Sequence, residues 1–510
     1  MSYSDFDFKS GRNPFGESEN RIGQGQSYQP GRNQTAYGSG KNTQRSYSVV
    51  HGKVQPSPTV ERKGETRKSS PRDNRGGKGN TPPAKAKISG SDARAKGVAV
   101  NRFLKDWTLK SPMDPVLLIL VIILLCIGLV MMFSASYTHS YYEKEGDALW
   151  YFKRQAIFAV AGVICMLIIS KFNYEKLNSI LAPIAYYASL GLLLVTFVVN
   201  LRKDSDFKRW LRIGPITFQP SEIGKFAMIL FLSYCIAKYY GLIQKNKIGK
   251  DNPTLQKIDD KFTSKFRVFY KNASTMSMYY TLMYTFIISA MCGMVIIENH
   301  ISCTILIFSM GVCMMWLGGV KKGYFVILGV VVAVAVVYVV KNPDILPGYA
   351  GERIVAWLDK SYEPLGSRWQ TNQSLRAIAS GGPFGLGLGN SRQKHMYVSE
   401  PQNDFIFAII CEELGFVGGA AIIAIFAAFV WRAFHIAAYV KNTFGSLLIM
   451  GIALQIGIQV LVNIAVVTDT IPNTGISLPF FSYGGTSLMI LLAEVGVALS
   501  VSRTSAIQKT

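Results

Sequence analysis

The sequence predicts an all-α polytopic membrane protein with about ten transmembrane helices behind a disordered, basic N-terminal tail. Three observations carry this prediction. Hydrophobic residues make up 49% of the 510 residues and charged ones only 17%; the apolar residues gather into long blocks; and composition changes sharply near residue 110. Residues 115–134 (PVLLILVIILLCIGLVMMFS) carry no charge, and about 20 residues rising ~1.5 Å each cover the roughly 30 Å of a hydrocarbon core. Further blocks start near Gln155, Leu181, Ile223, Met278, Ile301, Gly323, Phe405, Ser446 and Phe480. Each reads as a helix, because lipid admits backbone only as helix or closed barrel. No internal repeat is found. The first block lies too far from Met1 to be a cleaved signal peptide, so it is expected to remain.

Residues 1–110 are rich in Gly, Ser, Asn, Arg and Lys and poor in aliphatics, and cannot bury enough apolar surface to offset ordering entropy. With 21 Lys and Arg against nine Asp and Glu, they hold +12 of the chain's net +23. The positive-inside rule sets this tail in the cytoplasm. The lysine-rich stretch 240–275, the Lys321-Lys322 pair and residues 431–444 then fall on the same side; the turns 298–300 and 468–479, without Lys or Arg, fall on the other. Both termini are therefore expected on the cytoplasmic face of the membrane, with residues 111–505 as the membrane domain. The tail's charge suits anionic lipid headgroups or a docking partner; no helix-turn-helix, RNP motif or zinc-finger spacing supports nucleic acid. The seven cysteines fall in or at the ends of apolar blocks with no CxxC pair, and the five histidines include no HExxH, so neither a disulfide nor zinc is indicated.

On the outer side, residues 200–221 (NLRKDSDFKRWLRIGPITFQPS) hold Arg202, Lys203, Lys208, Arg209 and Arg212, and Lys225 follows one turn inside the next helix. Cations retained on the translocated side suggest an anionic ligand, and an ammonium within a span is a functional candidate by default. Snorkelling interfacial anchors are the alternative. The outer loop 341–403 is far longer than a connector needs, and loops of that size usually carry function. Its stretch 380–394, SGGPFGLGLGNSRQK, follows no strand and lacks GxxxxGK[ST]. Tight turns with close backbone approach account for its glycines better than a nucleotide loop does. Its amides, with Arg392 and Lys394, could still take a phosphate.

The loop ends in SEPQNDFIFAIICEELGFVGG, placing Asp404 at the mouth of the next span. A carboxylate partly withdrawn from water there has a raised pKa, which suits a general base; Asp is equally a favoured helix cap. Glu412 and Glu413, two turns deeper, read as structural hydrogen-bond partners rather than catalysts.

RWLRIGPITFQPSEIGKFA (209–227), AIASGGPFGLGLGNSRQK (377–394), EPQNDFIFAIICEELGFVGG (400–419) and PNTGISLPFFSYGGTSLM (472–489) together closely resemble the FtsW/RodA family, the shape, elongation, division and sporulation (SEDS) proteins. The resemblance spans about residues 112–503, and the GNSRQK and LPFFSYGGTS wording is nearer the FtsW and sporulation branch. It implies a peptidoglycan glycosyltransferase of the bacterial cytoplasmic membrane that polymerises lipid II onto an undecaprenyl-diphosphate-linked glycan on the outer face. It also implies a class B penicillin-binding protein and other divisome-type membrane proteins as partners, in cell division. The family's catalytic aspartate matches Asp404. Arg209, Trp210, Gln219, Ser221, Lys225, Arg392 and Lys394 are the candidates for substrate binding. No DxD-like cluster stands ready for a divalent ion, and the metal question is left open. Ser399 replaces a usual Pro, Gln402-Asn403 a usual His-Thr, and Glu298-Asn299-His300 a usual Pro-Asp turn, so substrate contacts there are expected to differ. Two rival classes share the intramembrane charges and broken helices: a lipid II flippase, and a non-catalytic scaffold for the crosslinking partner.

Overall fold

A computed structural model describes residues 108–109, 111–178, 180–200, 209–214, 216–245, 275–346, 348–363, 366 and 368–509. The basic tail and the cations Arg202, Lys203 and Lys208 lie outside the described residues, and with them the reading of the tail as disordered.

The apolar blocks become helices in the order the sequence sets. They are α1 (Pro115–Glu143), α2 (Trp150–Ile169), α3 (Leu181–Asn200), α4 (Pro220–Lys245), α5 (Thr275–Ile297), α6 (Ile301–Leu317) and α7 (Lys322–Lys341). After the long loop come α10 (Ile406–Ala438), α11 (Thr443–Val467) and α12 (Gly485–Ser502). Among the described residues, nine of these are long and apolar enough to cross a membrane, and the shorter α6 makes the tenth apolar helix. This is a multi-pass membrane protein. In α1, Asp114 accepts from Leu117 N at 2.8 Å and Pro115 occupies the first turn, where its missing N–H costs nothing. Leu117, Val121, Leu124, Gly128, Met131 and Met132 turn one stripe of α1 inward. Ile119, Ile123, Val130 and Phe133 face outward. Apolar residues on both faces are stable only where the surroundings are as apolar as the core.

The helices α4 and α11 form the interior: 72% of the apolar window of α4 and 61% of that of α11 are buried. α11 packs on α4, α6, α10 and α12, while α2 pairs with α12 and α3 with α4. At the other extreme, α7 has no buried residue.

Two segments depart from a plain bundle. Strands β1 (Leu211–Ile213) and β2 (Ile216–Phe218) form an antiparallel hairpin that sets Arg209 and Trp210 at one foot and Gln219 at the other. The long loop contains two helices, α8 (Gly348–Leu358) and α9 (Trp369–Gly381). Arg368 fastens them to the body, donating to Ala356 O and pairing with Asp469 at 2.5 Å.

The glycine-rich stretch finds its use here. α10 breaks at Gly415, whose φ of +69° and ψ of −171° suit glycine alone. Leu386 N and Gly387 N donate to the freed carbonyls of Glu412 and Glu413, and Phe416 N and Val417 N donate back to Gly382 O and Pro383 O. Broken backbone at membrane depth is tolerated only when protein satisfies it in this way. Glu412 accepts from Arg392 N at 3.0 Å and from Ser391 Oγ, and Glu413 accepts from Ser134 Oγ at 2.7 Å, so both act as structural partners.

Candidate active site

A cavity of about 270 Å³ opens where the loop, the hairpin and α4, α10 and α11 converge. Asp404 lies in its wall. The first residue to begin α10 is Phe405, and no side chain caps the helix, so the carboxylate is not engaged as a cap. One of its oxygens stands 3.2 Å from where a Cβ on Gly475 would lie; Gly475 itself has a φ of +68°. Only glycine lets the chain pass so close in that conformation. Burial pushes the Asp404 carboxyl up to about 6, with Glu400 acting in the same direction and the Arg209 and Arg353 guanidiniums against it.

Below Asp404, Lys225 is buried and pairs with Glu222 at 2.9 Å, one turn back on α4. Its Nζ also reaches Gln459 Oε1 at 3.5 Å. The ammonium foreseen within a span thus has a carboxylate partner, as burial of a charge requires. Gln219 lines the cavity and its Nε2 is 3.0 Å from His300 Nδ1. Burial, with Arg209 and Lys225 nearby, pushes His300 down to about 3, so a neutral ring accepts that bond. Ser221 is fully buried behind the same ring, with Oγ at 3.4 Å from Nδ1.

The structure therefore gathers Arg209, Trp210, Gln219, Lys225 and Asp404 around one cavity, with Ser221 one contact behind. Arg392 and Lys394 are not among its walls. The expectation for Lys394 needs correction: it is 5% exposed, and its Nζ is held by Glu413 at 2.9 Å, Gly389 O at 2.6 Å and Ser134 Oγ at 3.1 Å. A cation so enclosed neutralises Glu413 and is closed to a ligand. Arg392 is exposed, and its backbone N–H serves Glu412.

Sequence reasoning missed Glu222, His300, Glu400 and Arg353. Spacing of i, i+3 from Lys225 was the available signal for Glu222. Arg353, on α8, donates to Asn473 O at 3.0 Å and acts on Asp404 across the cavity mouth. A second cavity of about 430 Å³ adjoins the first through Trp210, Asn403 and Tyr483, and extends past Arg154 to Ile157 and Phe158 on α2. The described residues contain no group of three or more His, Cys, Asp or Glu side chains placed to hold a metal ion.

The chain was compared with known proteins. Residues 115–507 match the family described as Cell cycle protein, which groups FtsW, RodA and SpoVE. Stage V sporulation protein E of Bacillus subtilis (strain 168) is 37% identical over 401 residues, 78% of this chain and 99% of the relative. A probable peptidoglycan glycosyltransferase FtsW of Geobacter sp. (strain M18) is 31% identical over 390 residues, 76% of this chain and 96% of the relative. Among solved structures, a chain of a peptidoglycan synthase complex covers 77% of this chain and 98% of its own, with TM-score 0.57 and 24% identity. The Rod shape determining protein RodA of Thermus thermophilus aligns with TM-score 0.51 at 21% identity, over 77% of this chain and 98% of its own. These two share the fold. With the family's motifs meeting around one cavity and its full length matched, the chain belongs to the FtsW, RodA and SpoVE family of cell cycle proteins.

Proposed function

We propose that this protein is a peptidoglycan glycosyltransferase that polymerises lipid II, with Asp404 as general base. The observation that carries the reading is a carboxylate withdrawn from water, not used as a helix cap, facing Arg209 and Arg353 in a polar cavity at the mouth of a membrane helix. The names of the FtsW relatives support the activity.

In this reading the 4-hydroxyl of the acceptor sugar gives its proton to Asp404 and attacks the anomeric carbon of the donor. The bond to undecaprenyl diphosphate breaks, and the α-linked sugar becomes β-1,4-linked. One carboxylate suffices, because the diphosphate leaves with its own charge and needs no proton. Negative charge grows on the leaving group, and Arg209, Arg353 and Lys225 are the cations at hand to stabilise it. Two lipid-linked sugars must be held at once. The adjoining cavity, with Arg154 for a diphosphate and Ile157 and Phe158 for its lipid, suits the second.

The further parts of the proposal are division as the cellular duty, a class B penicillin-binding protein as partner, and both termini in the cytoplasm. Residues 111–505 would form the catalytic body. Purified protein given lipid II provides the test. Polymer from detergent-dispersed substrate supports the enzyme, lipid movement across liposomes without polymer supports a flippase, and neither supports a scaffold. Asp404→Asn keeps size and capping capacity but cannot take a proton, so polymer formation should fall by about 10² to 10⁴ at unchanged thermal stability. Near-normal yield from that variant would remove Asp404 from the mechanism.

A further inference from the structure

Each of the three carbonyl oxygens leading into α10 is held by a donor from elsewhere in the chain. Gln402 O accepts from Tyr483 N at 2.8 Å, Asn403 O from Ser482 Oγ at 2.9 Å, and Asp404 O from Asn463 Nδ2 at 2.7 Å. Asn463 is fully buried in α11 and gives its second amide hydrogen to Ile476 O, also at 2.7 Å. One side chain thus bridges the residue that carries the carboxylate and the residue that follows Gly475.

Asn463 also ends a series. Gln455, Gln459 and Asn463 recur at one-turn spacing, on one face of α11. Gln455 donates to Glu494 at 2.7 Å, and Gln459 donates to Ser477 O at 2.9 Å. Burying an amide in a membrane helix is unfavourable unless its hydrogens are used. Here the upper two amides are used on the cavity wall opposite and beside Asp404.

We propose that Asn463 is a positioning residue: by tying the Asp404 backbone to Ile476 it holds the carboxylate at the distance and tilt that glycosyl transfer requires. This rests on the reading of Asp404 as general base. Asp404 precedes the helix and makes no cap, so its carbonyl bond to Asn463 restrains a position that the helix itself does not. Misplacing a reacting group by about 1 Å can cost on the order of 10²-fold in rate.

The test uses the full-length protein with lipid II. Asn463→Leu removes both donors at similar volume, and Asn463→Ser keeps one. The inference expects kcat to fall roughly 10- to 100-fold in the Leu variant with KM unchanged, and less in the Ser variant. The acid limb of its pH profile should also move to lower pH, as a loosened carboxylate gains water. Arg209, Arg353 and Glu400 face that carboxylate, and Glu222, Lys225, His300 and Tyr483 share the cavity, so the limb reports their joint field. Adding Asn463→Leu to Asp404→Asn should lower activity no further. Wild-type kcat and acid limb in both Asn463 variants, beside an inactive Asp404→Asn, would overturn the positioning role alone. An active Asp404→Asn would overturn the base itself. Should the Leu variant fail to fold, Ser482→Ala, which frees Asn403 O, takes its place with the same expected loss and the same overturning result.

Discussion

At the scale of single residues, Asp404 and Gly475 make each other necessary. A base must be ionised, and burial has pushed Asp404 up to about 6. Polymerisation should therefore be full above that pH and fall roughly tenfold per unit below it, measured as initial rate on lipid II between mildly acid and neutral buffer. Arg209 stabilises the ionised form, so Arg209→Gln should move the acid limb to higher pH; a limb that stays put would mean that Arg209 does not act on the carboxylate. Gly475→Ala brings a methyl to about contact with the Asp404 oxygen and forces alanine to a positive φ. Loss of about 1 kcal/mol of stability and most of the activity is expected, and a thermal melt beside the polymer assay reads both. An alanine variant with unaltered turnover would show that the approach of these two residues is not needed.

At the scale of elements, the instructive pair is Lys394 and Glu413. They are 19 residues apart in sequence, and neither local pattern nor charge spacing links them. The pairing exists because the glycine-rich stretch docks into the break of α10. Lys394→Met leaves a buried carboxylate uncompensated and should cost about 3 kcal/mol. Lys394→Met with Glu413→Gln should recover much of the stability and the activity. If the double variant melts normally but makes no polymer, Lys394 has a role at the substrate after all. The same docking explains what the sequence left hidden. The helices were legible because an apolar block of span length admits few other structures, and Asp404 because its surroundings repeat a family wording. Arg353 was not legible, since it reaches the cavity from a loop helix 51 positions before Asp404 and only tertiary packing joins them. His300 was seen only as a departure from a common turn, and its contact with Gln219 spans 81 positions.

At the scale of the whole molecule, the site belongs to residues 115–507, the part that matches the family. Deleting residues 2–100 should therefore leave folding and polymer yield in vitro unchanged; an inactive but well-folded truncation would assign the tail a part in turnover. Sidedness has its own check in a background without native cysteines. A cysteine at the exposed Lys360 should react with an impermeant thiol reagent added to intact cells, and one at the exposed Lys322 should not. The reverse pattern would invert the membrane topology. The break in α10 bears on the same question of how the protein meets its bilayer. An unbroken helix of 33 residues would be roughly 50 Å long, far more than a hydrocarbon core. Residues 416–438 alone, at roughly 34 Å, suit that thickness, and they are free to tilt as lipids lengthen or shorten. The piece that carries Asp404 is bolted instead to the glycine-rich stretch. Hydrophobic mismatch is thereby absorbed on one side of Gly415, and the height of the carboxylate above its floor is insulated from the thickness of the membrane.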